Sequence, residues 1–241
     1  MSRVYLHGFL GAPAAWREVT ERAGDADARC LQVPGHGLAP FTPPGSFEDV
    51  VDAVAAQALT GERTELVGYS LGARVALAIA LRHPRRVARV VLVGVSYGLD
   101  DARDREARAR SDDALARSLE RDGVARFVDA WESIPLFDSQ RTLPPERLAP
   151  QRAWRTQHTA KGLAWSLRAL GLGQMPSYRA ALARSAVPIA LVTGARDDKF
   201  TAIAREVLRM RSGVVHTVVE GVGHNAVLEA PDAVARVIAG A

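Results

Sequence analysis

Short apolar runs alternate with amphipathic segments along most of the chain. The apolar runs are rich in β-branched residues, which is typical of buried parallel strands. They occupy Val4–Leu6, Cys30–Val33, Glu65–Gly68, Val90–Val93, Ile189–Thr193 and Val214–Val219. Helical periodicity marks residues 13–22, 47–60, 71–83, 200–211 and 231–239. This alternation predicts an α/β protein with a mostly parallel sheet of about six strands and helices on both faces.

The alternation stops between about residues 95 and 180, where only helical patterns occur. These patterns cover residues 101–121, 123–132, 144–157 and 160–170, and prolines separate several of them. We therefore predict a helical lid over residues 98–176, inserted before the last two strands. Residues 1–97 and 177–241 would then form the α/β core.

Composition narrows the class of protein. The 241 residues are 48% hydrophobic, which fits one soluble globular domain. The formal net charge is +4, but the arginines are interleaved with Asp and Glu, so we predict solvated helix faces and no nucleic-acid surface. No apolar run approaches 18 residues, no signal peptide is apparent, and the single cysteine, Cys30, excludes an internal disulfide. We expect a cytoplasmic protein without a membrane partner.

The strongest local motif is G-x-S-x-G at residues 68–72. A predicted strand precedes it and a good helix start follows it, which is the context of a nucleophile elbow. Glycines on both sides permit a strained turn that exposes the hydroxyl of Ser70. We therefore predict that Ser70 is the reactive serine.

A serine hydroxyl needs an imidazole to activate it, and the imidazole needs a carboxylate to orient it. Asp197 and His224 each follow a late predicted strand, so both side chains would reach the carboxyl edge of the sheet beside Ser70. Asp198 is the competing carboxylate, either solvated or capping the helix that starts near Phe200. We favour Asp197 because it is nearer to the strand end.

The remaining histidines are weaker candidates for the base. His7 and His36 lie in early glycine turns, where packing of a tight turn is the expected role. No neighbouring motif supports His83, His158 or His216.

The segment His7-Gly8-Phe9-Leu10-Gly11 follows the first predicted strand. In a fold with a nucleophile elbow, the residue after the serine supplies one oxyanion-hole N–H and an early loop supplies the other. We predict that Leu71 and Phe9 are these two backbone donors.

These features resemble the α/β-hydrolase superfamily over the whole chain. More narrowly, they resemble the family of 2-succinyl-6-hydroxy-2,4-cyclohexadiene-1-carboxylate synthase, of menaquinone biosynthesis. The motifs that carry this resemblance are HGFLG at 7–11, GYSLGAR at 68–74, REARARSD at 105–112, GARDDKF at 194–200 and GHN at 223–225, with Trp131, Pro135-Leu136-Phe137, Glu229 and Pro231. The sequence departs from the family pattern at Ala73, where a second glycine is common in the family, and at Val227, where a histidine is frequent.

The resemblance implies an α/β-hydrolase fold and a lyase reaction. Pyruvate would be eliminated from 2-succinyl-5-enolpyruvyl-6-hydroxy-3-cyclohexene-1-carboxylate, a small molecule with three carboxylates. Neither a metal nor an organic cofactor would be required, and the protein would be a monomer or homodimer.

The resemblance also implies which side chains bind this tricarboxylate. Matching positions are Tyr69, Arg74, Arg108, Trp131 and Arg155, although Arg152 is a rival for the last. Arginine suits this task because it pairs bidentately with carboxylates. Two alternatives share the triad or the fold: a carboxylesterase or other serine hydrolase, and a ligand receptor that does not use the triad.

Overall fold

The computed structural model describes residues 2–39, 41–43 and 45–240. Its strands are β1 (Ser2–Leu6), β2 (Arg29–Leu31), β3 (Thr64–Tyr69), β4 (Val87–Val93), β5 (Ile189–Gly194) and β6 (Val215–Val219). They form one sheet in the order β2-β1-β3-β4-β5-β6, and every neighbouring pair is parallel. The predicted parallel sheet of six strands is confirmed.

Helices flank this sheet on both faces. They are α1 (Arg17–Arg22), α2 (Phe47–Ala58), α3 (Leu71–Arg82), α4 (Ala102–Glu132), α5 (Pro145–Arg155), α6 (Ala160–Leu170), α7 (Arg179–Arg184), α8 (Asp198–Met210), α9 (Ala226–Glu229) and α10 (Pro231–Ala239). Two 3-10 segments, Pro13–Trp16 and Pro135–Thr142, precede α1 and α5.

The helices between β4 and β5 include α4, α5 and α6, which together with the segment Pro135–Thr142 are called the lid below. The sequence pattern predicts two helices, over residues 101–121 and 123–132. The structure agrees, because the backbone at Gly123 has φ 78° and ψ 168° and divides α4 into two helical segments. The boundaries of the lid at residues 98 and 176 stay a prediction.

Three local differences from the prediction have identifiable causes. Strand β2 ends at Leu31, short of the predicted Val33, because the Val33 N–H donates to Nε2 of His7 at 3.0 Å. Helix α8 begins at Asp198, ahead of the predicted residue 200, because the Asp197 side chain accepts from the Phe200 N–H and caps it. The helix predicted over residues 13–22 begins as the 3-10 segment Pro13–Trp16 and continues as α1 from Arg17.

The central strands of the sheet are buried on both faces, because alternate residues point to opposite sides and helices cover both. Val4, Leu6 and Leu66 belong to the core under α2 and α3, whereas Tyr5 and Val67 belong to the core under α1 and α10. A third cluster joins α4 and α6 to Leu10, in the loop after β1. The lid is therefore packed directly on that loop. No helix among the described residues has the length and apolarity to cross a bilayer.

Candidate active site

Ser70 lies in a sharp turn between β3 and α3. Its backbone has φ 52° and ψ −108°, a strained conformation for a residue with a side chain. Close packing on both sides of the turn requires glycine. A Cβ on Gly72 would lie 2.1 Å from the carbonyl oxygen of Leu6, and one on Gly68 would lie 2.5 Å from that of Gly72. The turn therefore has the geometry of a nucleophile elbow.

Ser70, His224 and Asp197 are within hydrogen-bond distance in series. Nδ1 of His224 lies 2.7 Å from Oδ2 of Asp197, and its Nε2 lies 3.0 Å from Oγ of Ser70. An ionised carboxylate only accepts, so Nδ1–H donates to Asp197 and Nε2 is left to accept from the serine hydroxyl. His224 and Asp197 are only 3% and 4% exposed, so little solvent screens this pair.

The two adjacent aspartates differ in their surroundings. Asp197 is buried against His224, whereas Asp198 is exposed on the first turn of α8. The suggestion that Asp198 caps α8 is wrong, because Asp197 provides the cap as well as the contact to His224.

Two residues fix the loop that carries His224. The carboxylate of Glu229 accepts from the N–H of Gly223 at 2.8 Å and from the N–H of Asn225 at 3.2 Å, one on each side of the histidine. The imidazole itself packs on Gly94, where a Cβ would lie 2.7 Å from Cε1. The position of His224 thus depends on a glycine at the end of β4.

The loop of Phe9 is held by histidines whose rings are neutral. His7 donates from Nδ1 to the Gly8 carbonyl oxygen at 2.8 Å, and Nε2 of His36 accepts from the Leu10 N–H at 3.1 Å. Burial lowers the pKa of His7 to about 3 and lowers that of His36 well below its ordinary value. Leu10 has φ 58°, a conformation that these contacts hold in place.

His158 belongs to the same group, although no neighbouring motif in the sequence indicates a role for it. Its Nδ1 accepts from the Gly37 N–H at 2.9 Å, and its ring centroid is 5.2 Å from that of His36. Burial lowers its pKa as well. The fold therefore supports the packing role predicted for His7 and His36 and extends it to a residue of the lid.

Phe9 and Leu71 both line the cavity into which Ser70 and His224 open. The Leu71 N–H is at the first position of α3, where no intrahelical acceptor exists. Among the described residues, no acceptor takes the Phe9 N–H. Both residues thus line the cavity of Ser70 with backbone N–H groups that have no acceptor among the described residues.

The same cavity, of about 150 Å³, is lined by Arg74, Arg108 and Trp131. Arg74 donates to the Leu170 carbonyl oxygen at 2.7 Å, and burial beside the charge of Arg108 lowers its pKa to about 10. Nε of Arg108 lies 2.8 Å from Oδ1 of the buried Asp112. The indole N–H of Trp131 is buried and has no partner among the described residues.

The other two predicted pocket residues, Tyr69 and Arg155, line a neighbouring cavity of about 240 Å³, which also includes Phe9. Arg155 is 4% exposed, lies 3.1 Å from Glu132 and is stacked over Phe137, and burial lowers its pKa. Arg152 instead faces solvent, paired with Asp129 and Glu132. The five predicted residues are therefore divided between two adjoining cavities.

Sequence reasoning assigned no role to two residues near the triad. Lys199 lines the cavity of Ser70. In the sequence it stands out only as part of the motif GARDDKF. Gln151 is buried in the lid beside Asn225. Nothing in the exposed, arginine-rich pattern of α5 distinguishes Gln151 from a surface amide.

A parallel six-stranded sheet, a serine in a strained strand–helix turn and an acid–histidine pair after later strands together define an α/β hydrolase. The chain belongs to the alpha/beta hydrolase family, whose family model matches residues 4–237.

Relatives within that family are more informative. The 2-succinyl-6-hydroxy-2,4-cyclohexadiene-1-carboxylate synthase of Enterobacter sp. (strain 638) is 34% identical over 238 residues, which are 98% of this chain and 89% of that protein. The protein of the same name from Serratia proteamaculans (strain 568) is 32% identical over 96% of this chain and 89% of its own. The resemblance to this synthase family is confirmed.

Solved structures agree with the sequence relatives. The structure of MenH from S. aureus superposes with a TM-score of 0.93 and 28% identity, covering 100% of this chain and 92% of that one. A thermophilic esterase from Thermogutta terrifontis, at 24% identity, has a TM-score of 0.81 over 99% of this chain and 88% of its own, and shares the fold.

Proposed function

We propose that the protein is a 2-succinyl-6-hydroxy-2,4-cyclohexadiene-1-carboxylate synthase, a lyase of menaquinone biosynthesis. It would act on 2-succinyl-5-enolpyruvyl-6-hydroxy-3-cyclohexene-1-carboxylate and release pyruvate. The observation that carries the proposal is the cavity of Ser70, because its walls hold two arginines beside a complete serine–histidine–aspartate array. Relatives of that name, which align over nearly the whole chain, support it.

The reaction begins with proton transfer. His224 takes the hydroxyl proton of Ser70, and Oγ removes the proton from the ring carbon that bears the succinyl group. Asp197 stabilises the imidazolium that forms and keeps Nε2 directed at the serine. The 3.0 Å separation of Oγ and Nε2 permits the transfer from Ser70 to His224, and the 2.7 Å contact with Asp197 orients the imidazole without taking its proton.

The electrons of the broken C–H bond enter the succinyl ketone and form an enolate. The N–H groups of Phe9 and Leu71 would bind this oxygen, and the N-terminus of α3 adds its positive dipole end. As the ketone re-forms, the ring double bond shifts and the bond from carbon 5 to the ether oxygen breaks. The enolate of pyruvate leaves and takes up the proton that His224 holds, which gives pyruvate and restores the triad. No acyl-enzyme and no attacking water are involved.

The substrate carboxylates need cationic partners. We assign them to Arg74 and Arg108 in the Ser70 cavity and to Arg155, with Tyr69, in the adjoining cavity. Trp131 would donate its unpartnered indole N–H to a substrate oxygen. A cytoplasmic location, a monomeric or homodimeric state and the absence of a nucleic-acid partner belong to the same proposal.

Pyruvate release from the enolpyruvyl substrate tests this function. Wild type should release pyruvate rapidly, and Ser70→Ala should lower kcat by about 10³-fold or more, since it removes the base. Ser133→Ala, on the exposed end of α4, is the matched control and should keep full activity. p-Nitrophenyl acetate is assayed in parallel. Rapid ester cleavage by wild type with no pyruvate above background would identify a serine hydrolase and refute the lyase.

A further inference from the structure

Lys199 is a cation on the wall of the Ser70 cavity, and the reaction steps described above assign it no role. It is the second residue of α8, and its side chain is exposed. Its Nζ lies 5.5 Å from the centroid of the Phe200 ring, and that ring lies 4.3 Å from the ring centroid of His224. The ammonium group is therefore separated from the base by one aromatic side chain.

The charge of Lys199 has no partner in the protein. Among the described residues, no carboxylate oxygen lies within 4.0 Å of its Nζ. Two of the three predicted carboxylate-binding arginines already contact a carboxylate of the protein: Arg108 contacts Asp112, and Arg155 contacts Glu132. Lys199 thus contributes positive charge to the cavity that a protein anion does not offset.

This imbalance matters for a substrate with three carboxylates. Asp112 and Glu132 offset part of the charge of Arg108 and Arg155, so these arginines and Arg74 do not fully balance three carboxylates. Lys199 adds the further positive charge near Ser70. An ammonium on a flexible stem at the exposed edge of the cavity can also follow a carboxylate as it enters, which a buried guanidinium cannot.

We propose that Lys199 binds one carboxylate of the tricarboxylate substrate and so determines specificity for it. This inference rests on the proposed function. The ammonium would donate a charge-assisted hydrogen bond to the carboxylate, and Phe200 would keep the stem beside His224. Lys199 takes no proton in the reaction, so its contribution is to substrate binding and not to the chemical step.

The chain offers a matched control, because Lys161 is its only other lysine and is exposed on α6, away from the cavity. Lys199→Gln should raise KM for the enolpyruvyl substrate by about tenfold or more and leave kcat within about twofold. Lys161→Gln should change neither constant. Lys199→Arg should keep KM within about threefold of wild type, because it retains the positive charge.

Inhibition by the reaction product shows which carboxylate is bound. The product lacks the enolpyruvyl group, so an unchanged inhibition constant in Lys199→Gln, with KM raised, assigns Lys199 to the leaving group. A weakened constant assigns it to the succinyl or ring carboxylate. Equal KM values for Lys199→Gln and Lys161→Gln, or a fall in kcat with KM unchanged, would overturn the proposal. A wild-type protein that releases no pyruvate would instead refute the proposed function itself.

Discussion

Nδ2 of Asn225 donates to Oε1 of Gln151 across 2.8 Å, and this contact joins the residue after His224 to helix α5 of the lid. Gln151 in turn donates from Nε2 to Oε1 of Gln140 at 2.9 Å. All three amides are buried, each 5% exposed. A chain of hydrogen bonds between buried amides therefore connects the lid to the loop of His224.

We predict that breaking this chain weakens catalysis more than binding. Gln151→Leu removes the acceptor of Asn225 and leaves a buried amide unpaired, which should cost about 1–3 kcal/mol of unfolding free energy. The loosened His224 loop should lower kcat by about tenfold with KM within about twofold. Steady-state kinetics and urea unfolding measure both effects. Gln157→Leu, at an exposed position after α5, is the control. A loss of stability with kcat unchanged would show that the chain only supports packing.

A second prediction concerns Gly94, whose missing side chain leaves room for His224. Gly94 has φ 60°, and a Cβ there would lie 2.7 Å from Cε1 of the imidazole. Gly213 has a similar φ of 75°, but a Cβ there meets nothing within 4 Å. Alanine at either position adds about 1–2 kcal/mol of backbone strain. Only Gly94→Ala displaces the base.

The measurement compares the two variants directly. Gly94→Ala should lower kcat by about 10²-fold or more, and Gly213→Ala should keep wild-type kcat at a temperature where both are folded. Thermal unfolding verifies that the two proteins lose similar stability. If Gly94→Ala retains full kcat, contact with Gly94 does not set the position of the imidazole.

The sheet and the triad could be predicted because their signals are local. Ser70 directly follows β3, and Asp197 and His224 lie three and five residues past the ends of β5 and β6, so the strand pattern alone brings the three to one edge of the parallel sheet. Asp197 could be preferred to Asp198 because it is nearer to the strand end. Asp198 is the first residue of α8, and its side chain faces solvent.

What could not be predicted depends on contacts between distant segments. The lid packs so that Arg155 enters one cavity and Arg108 another, and no spacing in the sequence encodes that division. The early end of β2 depends on a hydrogen bond that the Val33 N–H donates to His7, a residue 26 positions earlier in the chain. The role of His158 is similarly visible only when the loop between α5 and α6 meets the loop of His36.

A third prediction separates Arg155 from Arg152. Both guanidinium groups contact Glu132, so losing an ion pair to that residue is common to both variants. Only Arg155 lines the cavity that adjoins that of Ser70, whereas the exposed Arg152 lines a separate hollow between the segment Pro135–Thr142 and α5. Arg155→Gln should therefore raise KM for the tricarboxylate substrate by about tenfold or more, while Arg152→Gln should change KM by less than about twofold. Kinetics at fixed ionic strength measure this, and equal effects of the two substitutions would remove Arg155 from the binding site.

The last prediction concerns the pH dependence of stability that buried histidines impose. In the unfolded chain each histidine has a pKa near 6.5, whereas burial lowers the pKa of folded His7 to about 3 and lowers that of His36 well below its ordinary value. Between these values the unfolded state binds more protons. Stability is therefore fully present above about pH 6.5 and decreases as the pH falls, by up to about 1.4 kcal/mol per pH unit for each histidine.

Urea unfolding at pH 7.5 and pH 5.0 measures this dependence, above the range in which exposed carboxylates titrate. His7 and His36 together should lower the unfolding free energy by about 4 kcal/mol between these two values. His36→Gln keeps an oxygen that can accept from the Leu10 N–H but cannot take up a proton, so the difference should fall by about half. If His36→Gln and wild type lose the same stability, His36 is protonated equally in both states. The loop of Phe9 would then not depend on a neutral imidazole.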